Sequence, residues 1–174
     1  METAAAMRRD DRRAFAEVLE QHAGIVFKVV NSYASNPDDR ADLGQEIAAQ
    51  LWRAWPGYDP SRSLTTWMYR IALNVAISHL RGRSLRERHH VPLEEGLHDA
   101  AHHDADGAGE RELLLQRVLG GLAPLDRALL LLHLEDRSHR EIAEVLGLRE
   151  SNVGTRLSRL KQRIRQQLSP DAGA

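Results

Sequence analysis

The stretch that most restricts what this chain can fold into runs from Ser138 to Leu160. It reads Ser138-His139-Arg140-Glu141-Ile142-Ala143-Glu144-Val145-Leu146-Gly147-Leu148, then Arg149-Glu150-Ser151-Asn152-Val153-Gly154-Thr155-Arg156-Leu157-Ser158-Arg159-Leu160. Ser138 and Glu141 stand at the spacing of a capping box, in which each side chain satisfies a backbone N–H that a helix start leaves open. Gly147 follows the last apolar residue of that short helix and suits a tight turn. Two short helical patterns joined this way make a helix-turn-helix. The second helix divides into two faces. Val153, Leu157, Leu160, Ile164 and Leu168 recur at helical spacing and are expected to face a core. Asn152, Thr155, Arg156, Arg159 and Arg163 fall on another stripe, with side chains suited to base edges and phosphates. From Ser151 to Leu168 the charged residues are Arg156, Arg159, Lys161, Arg163 and Arg165, without an acid among them. Such a helix fits the major groove of duplex DNA.

A chain of 174 residues holds one medium domain or two small ones. Its net charge of −1 argues against indiscriminate coating of nucleic acid, yet that average conceals three blocks. Residues 61–88 carry six arginines against Glu87, a local +5, and residues 89–112 carry seven acids against Arg111, a local −6. The final helix returns to +5. Basic, acidic, basic is the succession expected of two DNA-facing modules on a solvated connector. The absence of cysteine excludes disulfides, thiolate chemistry and cysteine-based zinc sites. No apolar run approaches the roughly 18–20 residues of a membrane span, and the start lacks a signal-peptide core. A cytoplasmic protein without membrane insertion is expected.

Strand signals are nearly absent, so the expected class is all-α. Asp11 to His22 carries Phe15, Val18 and Leu19 at helical spacing, and Ile25 to Tyr33 continues with Val26, Val29 and Val30. Asn36-Pro37 supplies an N-cap and a first helical residue, with Asp38 and Asp39 in the dipole-favoured first turn. The helix they open runs to Trp55, with Leu43, Ile47, Leu51 and Trp55 on one face. Two prolines and a glycine make Pro56 to Ser63 a loop. A helix from about Leu64 to Leu80 is expected to turn Trp67, Ile71, Val75 and Ser78 inward. Gly82 to Glu110 shows little periodicity and reads as a mobile linker with room for transient helix. Structure resumes near Arg111 with Leu113, Leu114, Val118 and Leu122, and Pro124 opens a helix to about Leu134. The expected organisation is therefore a helical domain over residues 1–84, a flexible acidic, histidine-rich linker over 85–111, and a helix-turn-helix domain over 112–174.

Asp42, Gln45 and Glu46 lie within a turn of one another, with Arg53 two turns further along. Such a surface either docks on a basic partner, where complementary charge sets orientation and on-rate, or is a solvated face. The loop from Tyr58 to Ser63, with Arg62 beside an aromatic, is either a plain interhelical turn or a holder for an extruded base, with stacking worth roughly 1–3 kcal/mol per base. Trp52, Trp55 and Trp67 read as mainly structural. Arg70, Asn74 and Arg81 on the next helix are better candidates for strand and base contacts, and the Asn74 amide can donate and accept at an adenine edge. Exposed helix arginines are also commonly just solvated. Arg156 and Arg159 each suit a bidentate fork on guanine, roughly 1–3 kcal/mol of discrimination. Ser151 and Asn152 at the helix start suit phosphate or backbone contacts. Lys161, Arg163 and Arg165 sit further along as flanking-phosphate or solvent-facing charges. His89, His90, His98, His102 and His103 lie among acids, but their spacing matches no zinc pattern, and neither a metal nor a cofactor is expected. No ordered nucleophile–base constellation is visible, so neither an enzyme nor a small-molecule substrate is expected.

Asp42-Leu43-Gly44-Gln45-Glu46-Ile47, with Leu51-Trp52 and Trp67-Met68-Tyr69-Arg70-Ile71-Ala72-Leu73-Asn74, resembles region 2 of the extracytoplasmic-function sigma factors. Leu122-Ala123-Pro124-Leu125-Asp126-Arg127, with Glu141-Ile142-Ala143 and the Val153 to Leu160 helix, resembles their region 4. The two sets follow in the family's order, with a short linker in place of the central domain of larger sigma factors. Three places depart from the usual pattern: Ala41 where a second acid often precedes Asp42, Gly44 for a common apolar residue, and the small pair Ala48-Ala49. The resemblance implies a region 2 helical bundle and a region 4 helix-turn-helix. Region 2 would bind the clamp helices of core RNA polymerase through Asp42, Gln45, Glu46 and Arg53. It would open the downstream (−10) promoter element with Tyr58, Arg62, Ser63, Arg70, Asn74 and Arg81. Region 4 would bind the upstream (−35) element with Ser151, Asn152, Thr155, Arg156, Arg159 and Arg163, and also the polymerase flap. The connector would run near the RNA exit path, its acids mimicking nucleic acid. Members of this family are often held inactive by an anti-sigma factor between the two halves, a partner the connector would permit. The function implied is an alternative sigma factor that directs promoter-specific transcription initiation. The competing reading is a stand-alone helix-turn-helix regulator with an N-terminal sensor or dimerisation module.

Overall fold

The computed structural model describes residues 4–89 and 109–168. Among them lie eight α-helices, one 3-10 turn and no strand, so the all-α expectation holds. Packing separates residues 1–79 from residues 80–174, and each unit has its own core.

The first unit opens with α1 (Ala4–Gln21) and α2 (Ala23–Tyr33), interrupted only at His22. Helix α1 starts earlier than Asp11 because Ala4, Ala5, Ala6 and Met7 are strong helix formers that need no amphipathic pattern. Helix α2 buries Ile25, Val29, Val30 and Tyr33 and packs on α3 (Pro37–Ala54). Asn36 caps α3, its side-chain oxygen accepting the Asp39 N–H at 2.8 Å. Nε of Arg40 donates to the Ala34 carbonyl at 3.1 Å, closing the turn between α2 and α3. Leu43, Ile47 and Leu51 are fully buried, as their spacing predicts. Trp55 to Gly57 winds into a single 3-10 turn before the loop proper, which the two prolines alone do not announce.

Helix α4 (Leu64–His89) corrects two expectations. Its buried side is Met68, Tyr69, Ala72, Leu73 and Ala76, whereas Trp67, Ile71 and Val75 are half-buried and Ser78 is exposed. The helix is apolar around most of its girth here, so its bulkiest residues do not identify the packed side. Ala72 and Ala76 are fully buried on that side, and Trp67 joins an aromatic cluster at the helix start instead. The helix also continues through Gly82 to His89, past the expected domain end at residue 84 and into the expected linker. Ser84 to His89 contains no proline and several good helix formers, and one glycine costs a helix only about 1 kcal/mol. The rest of the expected linker, residues 90–108 with His90, His98, His102, His103 and most of the acids, lies outside the described residues.

The second unit begins within the last turns of α4, from Leu80, and comprises α5 (Glu110–Gly120), α6 (Pro124–Leu134), α7 (His139–Leu146) and α8 (Glu150–Leu168). Pro124 stands at the first position of α6, as its missing N–H favours. Ala128 to Leu132 form a buried run against α7 and α8. Arg127 is buried too, and its guanidinium donates to the carbonyls of Gly120 and Leu122 at 3.4 and 3.3 Å. This charge therefore ties the end of α5 to α6. Leu119 and Leu122 join the core, while Leu113 and Leu114 are exposed.

Candidate nucleic-acid interface

The helix-turn-helix forms as its spacing predicts. Oγ of Ser138 accepts the Glu141 N–H at 3.2 Å, and the Glu141 carboxylate accepts the Ser138 N–H at 2.8 Å. The Ser138 N–H and hydroxyl, helped by Arg137, hold the Glu141 carboxyl below the usual carboxylate range. Gly147 ends α7 at φ 66°, a left-handed conformation that only glycine adopts without cost. At Gly154 an added Cβ would meet the His139 ring at 3.5 Å, so the start of α7 packs close against α8 there. Across α8, Val153, Leu157 and Leu160 are buried, Ile164 is half-buried and Leu168 is exposed. The expectation that Leu168 faces a core fails because α8, at 19 residues, outlasts the α6 and α7 helices of 11 and 8 residues on which it packs.

Ser151, Asn152, Thr155, Arg156, Arg159 and Arg163 are all exposed. Ser151 and Asn152 sit in the first turn of α8, where the helix dipole favours an anion, and the Asn152 N–H donates to the Arg149 carbonyl at 2.9 Å. Glu150 begins the helix and adds one acid at that end, a charge that a count starting at Ser151 leaves out. The Thr155 hydroxyl donates back to the Ser151 carbonyl at 3.3 Å. Arg156, Arg159 and Arg163 share a groove of about 730 Å³ with Asp126 at the start of α6. Gln162 and Gln166 line it as well, polar groups absent from the sequence-derived set. Nη2 of Arg163 lies 2.6 Å from Oδ2 of Asp126. On the other flank of α8, burial, Lys161 and His139 lower the His133 pKa.

In the first unit the loop from Tyr58 to Ser63 is braced from within. Tyr58 stacks on Trp55, with ring centroids 5.7 Å apart, and its ring also lies 4.9 Å from that of Trp67. Trp55 and Trp67 are themselves 6.1 Å apart, so the three rings form one cluster that braces the loop, and Tyr58 is half-buried within it. Its hydroxyl donates to the Arg62 carbonyl at 2.8 Å. The Asp59 carboxylate accepts the Ser61 N–H at 2.9 Å, and the Ser61 hydroxyl, that N–H and the Arg62 cation hold it below the usual carboxylate range. Ser63 caps α4, its Oγ accepting the Thr66 N–H at 3.3 Å. The Arg62 guanidinium is exposed, 3.9 Å from Asp59. Arg70, Asn74 and, further along the helix, Arg81 are exposed on α4. On α3, Asp42, Gln45, Glu46 and Arg53 are all exposed. Oε2 of Glu46 lies 3.2 Å from Nδ1 of His79 on α4, a link between helices that sequence spacing does not signal.

Among the described residues no helix is long and apolar enough to cross a membrane, and no group of histidine and acidic side chains is arranged to hold a metal. Residues 18–86 match the Sigma-70 region 2 family and residues 112–164 match Sigma-70, region 4. The ECF RNA polymerase sigma factor SigE of Mycolicibacterium smegmatis is 29% identical over 88% of this chain, which spans 61% of that relative's length. SigW of Bacillus subtilis, also an ECF RNA polymerase sigma factor, is 23% identical over 93% of this chain and 92% of its own. In fold the chain is similar to the sigma factor RpoE of Bartonella quintana, solved with the anti-sigma factor NepR. That match has a TM-score of 0.70 at 21% identity and covers 91% of this chain and 99% of RpoE. CnrH, solved with the cytosolic domain of CnrY, matches with a TM-score of 0.65 at 23% identity over 90% and 88% of the two chains. With both sigma regions present in order on one chain, and each matching a helical unit, the chain belongs to the extracytoplasmic-function group of the sigma-70 family of RNA polymerase sigma factors.

Proposed function

We propose that this chain joins core RNA polymerase, directs it to a subset of promoters and helps melt them, without catalytic chemistry of its own. The observation that carries this reading is the pairing of a region 2 unit with a region 4 unit, each exposing polar side chains suited to a separate contact. Asp42, Gln45, Glu46 and Arg53 on α3 form the docking surface for the polymerase clamp, where charge complementarity sets orientation and on-rate. Tyr58, Arg62 and Ser63 on the loop, with Arg70, Asn74 and Arg81 on α4, contact the downstream element. Arg156 and Arg159 read or anchor the upstream element, with Ser151, Asn152 and Thr155 at the leading end of α8. An anti-sigma factor is the natural antagonist, by analogy with the complex in which RpoE was solved. The stand-alone regulator leaves the region 2 match of residues 18–86 without a purpose.

The test uses the full-length chain with core polymerase from the same bacterium. The chain should co-elute with core enzyme on size exclusion and bind a forked downstream-element template only in its company. Tight binding to a duplex operator without polymerase, together with failure to co-elute, would favour the stand-alone regulator instead.

A further inference from the structure

Of the three arginines that line the groove beside α6, Arg163 alone has a carboxylate partner. Its Nη2 stands 2.6 Å from Oδ2 of Asp126, which lies 37 residues earlier in the chain. Asp126 occupies the first turn of α6, where the helix dipole favours a carboxylate. Its side chain is 16% exposed against 56% for Arg163, so the acid is the fixed member and the guanidinium is drawn across to it. Arg156 and Arg159 lie two turns and one turn ahead of Arg163 on the same flank. Neither has a carboxylate within ion-pair range among the described residues. The groove thus holds two uncompensated cations followed by one compensated pair.

We propose that Asp126 sets where the DNA footprint on α8 ends. By holding Arg163 against α6, it removes that cation from the groove's phosphate-facing set and leaves Arg156 and Arg159 as the cations the groove presents. This rests on α8 being the recognition helix, and it goes further by assigning a positioning role to an acid outside that helix. A phosphate approaching beyond Arg159 meets a neutral pair whose exposed edge is flanked by the neutral Gln162 and Gln166. Each phosphate left without a cation weakens sequence-independent affinity and shortens its salt dependence. The pair therefore keeps the unaccompanied chain weak on arbitrary DNA, as suits a subunit that acts only in company.

The experiment titrates the full-length chain and four variants with a random-sequence duplex, by fluorescence anisotropy across a salt series, with thermal melts to confirm folding. Asp126→Asn should steepen the slope of log K against log salt by about 0.9 and tighten binding several-fold at low salt. Arg163→Gln should leave the wild-type slope unchanged, and the double variant Asp126→Asn/Arg163→Gln should restore it. Arg156→Ala should make the slope shallower by about 0.9. The proposal is overturned if Arg163→Gln flattens the slope as Arg156→Ala does, since Arg163 would then already be on a phosphate. It is equally overturned if Asp126→Asn leaves the slope unchanged, or if the double variant keeps the steeper slope through loss of the acid alone. A wild-type chain whose duplex binding shows no salt dependence would remove the recognition-helix reading itself, and this proposal with it.

Discussion

Helix α7 has only 8 residues, too few to hold together in water by propensity, so its end groups carry unusual weight. Ser138→Ala removes the cap at one end and should cost about 1 kcal/mol. Gly147→Ala forces a Cβ into the left-handed region at the other end and should cost about 1–2 kcal/mol. Urea denaturation of the second unit's helical signal measures both. Two titratable groups give the same unit a pH dependence. The Glu141 carboxyl is depressed by Ser138, so its contribution is complete above the unfolded carboxylate value and is lost as pH falls through the folded one. His133 is depressed by burial, Lys161 and His139, so folding favours its neutral form. Its contribution is complete above the ordinary imidazole value and is lost as pH falls below it. Thermal melts taken from neutral pH downward should show the loss in two stages, the histidine stage first. In His133→Gln the first stage should vanish and the carboxylate stage remain. A His133→Gln profile identical to wild type would remove His133 from the account.

At the scale of single helices, α8 has an inward side anchored by Val153, Leu157 and Leu160 and an outward flank on which Arg156 and Arg159 are exposed. Arg156→Ala or Arg159→Ala should weaken upstream-element binding by the polymerase complex about 5- to 150-fold, the equivalent of one lost bidentate contact. Co-elution with core enzyme should be untouched, which separates recognition from docking. Helices whose signal was local were legible from the residues. Asn36-Pro37 opens α3, Pro124 opens α6, and Ser138, Glu141 and Gly147 frame α7, because caps and turns are set by neighbours a few positions away. Helix α4 is the opposite case. Trp67, Ile71 and Val75 made a plausible inner stripe, but a helix apolar on most sides is oriented by its partners, and the small residues Ala72 and Ala76 won. Candidate site residues were legible as exposed polar side chains on the right helices. Their partners were not. The Asp126–Arg163 pair, the Glu46–His79 link and the ring cluster of Trp55, Tyr58 and Trp67 join residues that only tertiary folding brings together.

For the whole molecule, the proposed reading is that two small helical units on one chain divide the labour of finding a promoter. The first offers a polar α3 surface and an arginine- and asparagine-bearing α4, and the second offers the helix-turn-helix. On that reading the first unit supplies the surface for the melted strand and the second the duplex-reading helix, so neither suffices alone. The most direct test of this division is transcription from fragmented genomic DNA by core polymerase, with and without the full-length chain, and with every transcript's 5′ end mapped by sequencing. The account predicts start sites that require the chain, share a common pair of upstream sequence elements, and disappear when Arg156 and Arg159 are both replaced by alanine. Start sites no different from those of core polymerase alone would contradict it.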